Sequence, residues 1–65
     1  MKDKIKQTIL SILEEKQRSG DVLPYATSVE VAHRLHMNAL EVEELAKGIE
    51  GIVAGKTLNH EYYYE

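Results

Sequence analysis

Apolar positions between residues 3 and 18 recur at helical spacing. At 100° per residue, Ile5, Ile9, Ile12 and Leu13 share one face with Leu10 at its edge, while Lys4, Gln7, Ser11, Glu14 and Arg18 lie opposite. The apolar arc is roughly 160° wide where a surface helix needs ~100°, which predicts a helix packed against more than one layer. Ser19-Gly20-Asp21 stops it, with Gly20 suited to the positive-φ position after a helix C-terminus. Pro24 biases Leu23 towards extended backbone, so Val22-Leu23-Pro24-Tyr25-Ala26 reads as a connector able to add one short edge strand.

Two short capped helices follow. Thr27-Ser28-Val29-Glu30 has the capping-box pattern and predicts a helix over 28–36, with Val31, Ala32 and Leu35 inward and Glu30, His33 and Arg34 outward. Asn38-Ala39-Leu40-Glu41 opens a third over 38–49, and Met37 and Val42 occupy the two positions of a hydrophobic staple. Its inward residues are Val42, Leu45, Ala46 and Ile49; Leu40, Glu43, Glu44 and Lys47 point outward. Only His36-Met37-Asn38 separates the two, which makes them a helix-turn-helix unit. Beyond Gly51 the sequence turns β-rich. Ile52 to Leu58 and Glu61 to Tyr64, around Asn59-His60, read as a hairpin over 52–65, with Tyr62 and Tyr64 on one face and Tyr63 on the other.

Helix, helix-turn-helix and hairpin, in that order, resemble the winged helix-turn-helix superfamily over essentially the whole chain. The stretch from Glu30 through Val31-Ala32-His33-Arg34-Leu35-His36-Met37-Asn38-Ala39-Leu40-Glu41-Val42 to Leu45 carries the resemblance. Gly51-Ile52-Val53, followed by Gly55-Lys56-Thr57-Leu58-Asn59-His60-Glu61-Tyr62-Tyr63-Tyr64, is similar to the wing. The resemblance implies an α+β fold, with three helices and a C-terminal two-stranded hairpin extendable to three strands, as a single domain over 1–65. It also implies a DNA-binding transcriptional regulator. Asn38, Ala39, Glu43 and Lys47 of the third helix, with Lys56, Asn59 and His60 of the wing, would then face duplex DNA. The same fold serves protein-binding functions, so a protein-interaction or dimerisation module without DNA binding is the alternative.

Charge sharpens that choice. The chain carries eight basic and eleven acidic residues, a net charge of -3. Residues 1–20 hold five basic residues against three acidic; residues 28–51 hold only Arg34 and Lys47 against Glu30, Glu41, Glu43, Glu44 and Glu50. DNA affinity rests largely on phosphate neutralisation by Lys and Arg, so the acidic unit counts against DNA. Glu accepting from cytosine, and the lysines of the first helix, count for it.

Catalytic and metal readings find little to stand on. With no cysteine, zinc would depend on His33, His36, His60 and scattered carboxylates, so no metal or cofactor is expected. Ser11, Ser19 and Ser28 follow no nucleophile turn, and Glu14-Glu15 and Glu43-Glu44 point apart on their helices, so neither an enzyme nor a small-molecule substrate is expected. The run Thr8 to Leu13 ends at Glu14-Glu15, too short for a signal peptide or a membrane span, which leaves no membrane role and a cytoplasmic location as the expectation.

Self-association is the remaining expectation. A chain of 65 residues with no disulfide draws only about 3–5 kcal/mol from one small core and gains from a second copy. One face of the last strand completes the small core while the other covers a neighbouring strand; alternatively Leu10, Leu40, Glu44, Tyr62, Tyr63 and Tyr64 are the candidate interface of a homodimer or of a complex with another protein, because tyrosine joins an apolar body to a polar tip.

Overall fold

The computed structural model describes residues 2–54 and 61–64, with side chains at 2–52, 61 and 62. Helices α1 (Lys2–Arg18), α2 (Ser28–Leu35) and α3 (Ala39–Ala46) combine with strands β1 (Ala26–Thr27), β2 (Ile52–Ala54) and β3 (Glu61–Tyr64) in an α+β architecture. The sheet is antiparallel in the order β1-β3-β2. β3 is therefore the central strand, and the connector after Pro24 does contribute a short edge strand. The hairpin tip expected at Asn59-His60 lies outside the described residues.

Ile5, Ile9, Ile12 and Leu13 are all buried, together with Ala26, Val31, Ala32, Val42, Ala46, Ile49 and Tyr62. α1 packs on α2, α3, β1 and β3, which is what its wide apolar arc requires. Leu10, one of the interface candidates, is partly buried against the chain's own core. No helix among the described residues is long and apolar enough to cross a membrane.

Local chemistry sets the helix ends. At the end of α1, Gly20 N–H donates to Gln17 O at 3.0 Å and Asp21 N–H to Lys16 O at 3.1 Å, with Gly20 at φ +102°. This is a Schellman stop, which a glycine adopts without a Cβ penalty. The Thr27 side chain caps α2 by accepting from Glu30 N–H at 3.1 Å. α2 ends at Leu35 because His36 turns left-handed, φ 55° and ψ 45°, while Met37 N–H returns to Ala32 O at 2.9 Å. α3 stops at Ala46 rather than 49: Gly48 N–H to Leu45 O and Ile49 N–H to Ala46 O are tighter i to i−3 bonds, and they still deliver Ile49 to the core.

Candidate nucleic-acid interface

The α2–turn–α3 unit is built by caps on one side and packing on the other. Asn38 Oδ1 accepts from Leu40 N–H at 2.8 Å, satisfying one of the orphan donors of α3. Val42 and Ala46 fasten the inner side of α3 to the core. The outer side carries Leu40, 73% exposed, with exposed Glu41, Glu44 and Lys47. Lys47 Nζ lies 3.5 Å from Glu44 Oε2, a loose surface pair.

The sequence-derived set divides on this geometry. Leu40, Glu44 and Lys47 share the outer face as expected. Ala39 packs partly against the core, and the Asn38 oxygen is committed to its cap. Lys56, Asn59 and His60 lie outside the described residues, as do the side chains of Tyr63 and Tyr64.

Two expectations need correction. Glu43 does not project from the outer face: it is half-buried and accepts from the Ser28 hydroxyl at 3.2 Å. Its spacing from Ala39, Val42 and Ala46 places it on the edge of the inner stripe, where Ser28 supplies a donor. Tyr62 is not a free interface ring either. It is 1% exposed: α1 packs on β3 and the ring completes the core.

Ser28, Glu43 and Tyr62 form a polar cluster that composition and motifs do not announce. Ser28 is buried at the first turn of α2, on the same stripe as Val31, Ala32 and Leu35. The Tyr62 hydroxyl is buried without a well-formed hydrogen bond among the described residues. Burial pushes its pKa up to about 12; the Glu43 charge adds to the rise and the nearby Ser28 hydroxyl offsets part of it.

Ion pairs consume most of the cations that flank the unit. Arg34 makes a bidentate pair with Glu15, at 2.7 and 2.9 Å, which joins α2 to α1. This pairing holds the Glu15 carboxyl below the ordinary carboxylate range and raises Arg34. Lys16 pairs with Glu30 at 2.9 Å, donates to Tyr25 O at 2.7 Å and sits 4.9 Å from the Tyr25 ring centroid. One lysine thereby clasps α1, the connector and α2. The Glu30 carboxylate, expected to close the capping box, is turned to this clasp. Arg18 pairs with Glu14 at 2.6 Å.

Among the described residues, no group of three or more His, Asp and Glu side chains is placed to hold a metal ion. Comparison with family models, curated proteins and solved structures returns no match.

Proposed function

We propose that this chain is a winged helix-turn-helix domain that binds duplex DNA through the outer face of α3 and the β2–β3 ribbon. The observation that carries the reading is the capped α2–turn–α3 unit, whose second helix is anchored by Val42 and Ala46 and leaves its other side to solvent. The helix–strand–helix–helix–strand–strand order, with the ribbon following α3, supports it. The inward turn of Glu43 removes one carboxylate from the reading face, and Glu44 is of the type that accepts from cytosine. Fluorescence anisotropy on mixed-sequence duplexes across a salt series tests the proposal. Binding at low salt that falls steeply as salt rises is expected; no binding, or binding indifferent to salt, overturns it.

One observation favours a second reading, a module that docks a protein or a second copy of itself. Arg34 and Lys47, the two cations of the unit, both face carboxylates, and Leu40 stands exposed beside Glu41 and Glu44. Under this reading Leu40→Lys lowers the oligomeric mass in solution or abolishes partner binding, with the melting curve unchanged.

A further inference from the structure

The first turns of α1 and the end of α2 enclose a shallow groove of about 290 Å³, lined by Lys4, Gln7, Thr8, Ser11, Arg34 and Leu35. Two cations and three neutral polar side chains border it, and no carboxylate does. The adjoining groove differs: at about 220 Å³ it is lined by Glu15, Lys16, Glu30 and Arg34 with Ile12 and Ser19, so its charges cancel. A concave surface lined by one sign of charge focuses the field and concentrates the opposite ion.

The individual groups suit a phosphate. Lys4 is exposed and makes no ion pair among the described residues, so its ammonium is available as a point charge. Gln7 and Ser11 are exposed donors on the next turns of the same helix. The Thr8 hydroxyl donates to Lys4 O at 2.8 Å, so it braces the helix rather than reaching outward. Arg34 keeps its bidentate pair with Glu15, so it offers the groove only the guanidinium N–H donors which that pair leaves over.

We propose that this α1–α2 groove is an anion site that takes a phosphate group of a nucleic-acid backbone, with Lys4 as its charge and the remaining Arg34 N–H groups, Gln7 and Ser11 as donors. The nucleic-acid source rests on the DNA reading above; the phosphate chemistry does not. Lys4 is one of the five basic residues of 1–20, and a backbone contact needs charge while carrying no sequence information.

The full chain, ¹⁵N-labelled, is titrated separately with inorganic phosphate and with a mixed-sequence duplex at low salt, as wild type, Lys4→Gln and Lys47→Gln. Both ligands are expected to shift the amides of Lys4, Gln7, Thr8, Ser11 and Arg34. Lys4→Gln should weaken duplex binding several-fold alike for all sequences and reduce the salt slope by about 1, with an unchanged melting curve. Lys47→Gln should leave the phosphate response intact. Groove shifts with phosphate alone uphold the anion site but overturn its nucleic-acid occupant along with the DNA reading. Duplex shifts confined to α3 and the ribbon, with no groove response to phosphate, overturn the groove and leave DNA binding standing. Silence from both ligands overturns both.

Discussion

The Ser28 hydroxyl donates to the Glu43 carboxylate at 3.2 Å, tying the first turn of α2 to α3 beside the buried Tyr62 phenol. A carboxylate there helps keep the phenol neutral, which is why burial and the Glu43 charge act in the same direction on Tyr62. Since the folded pKa of about 12 exceeds the unfolded value of ~10, the neutral phenol favours folding. This stability is complete below pH ~10 and is lost as pH rises towards 12 and beyond. Tyr62→Phe should remove that alkaline loss. At pH 7 it should be neutral, or stabilising by up to about 1 kcal/mol, because a buried hydroxyl without a well-formed hydrogen bond disappears. Urea unfolding at pH 7 and pH 11 checks both; a loss above ~1 kcal/mol at pH 7 would mean that the hydroxyl has a strong partner.

The Arg34–Glu15 pair makes an acid-side counterpart. Its hydrogen bonds lower the Glu15 carboxyl, with the charges of Arg34 and Arg18 adding, so the pair stabilises the fold above the unfolded carboxylate pKa of ~4.3. That contribution disappears as pH falls through the lowered folded value. Arg34→Gln should return Glu15 towards the ordinary carboxylate range in a ¹³C-carboxyl NMR titration and flatten the acid limb of the stability profile. A Glu15 titration that does not move would assign the lowering to another group.

Two turn residues should respond in opposite directions. His36 holds a left-handed conformation that costs a non-glycine residue about 1–2 kcal/mol. His36→Gly removes this strain and gives back ~0.5–1 kcal/mol as unfolded-chain entropy, for a net gain of about 0.5–1 kcal/mol. Gly20→Ala should lose about 1 kcal/mol. A Cβ at Gly20 meets nothing within 4 Å, so backbone conformation alone sets that loss. Thermal melts of the two variants should bracket the wild type; movement of both in one direction would contradict the backbone account.

What could be read ahead of the structure follows the range of the interactions. Thr27, Asn38 and Gly20 act within five residues of their own positions, and the Ile5, Ile9, Ile12 and Leu13 stripe is a local period, so helices and stops were legible. The outer face of α3 was legible for the same reason. The burial of Glu43 and Tyr62 depends on partners far along the chain: Ser28 is fifteen positions from Glu43. The two-residue β1, too short to show a period, pairs with the second edge of β3, while α1 packs on that strand. Spacing did hold a hint, since Ser28 repeats with Val31, Ala32 and Leu35, and Glu43 with Ala39, Val42 and Ala46.

The same short strand yields a sharper test of the core. In register, Tyr62 lies between Ala26 on β1 and Ala54 on β2, so Ala26 stands directly opposite the bulkiest buried side chain. Ala26 is fully buried, and directly opposed residues on neighbouring strands have Cβ atoms only ~4.5–5.5 Å apart. A larger residue at 26 therefore competes with the ring for one volume. Ala26→Leu should destabilise by about 1–3 kcal/mol through overpacking. Tyr62→Leu alone should also destabilise, by loss of packing. Combined, the two should cost less than their sum, because the leucine at 26 refills space that the ring vacates. Urea midpoints for the two single variants and the double variant close the cycle. Additive losses would mean that Ala26 is small for a reason other than the Tyr62 ring, and would place the constraint in its packing against α1 or α2.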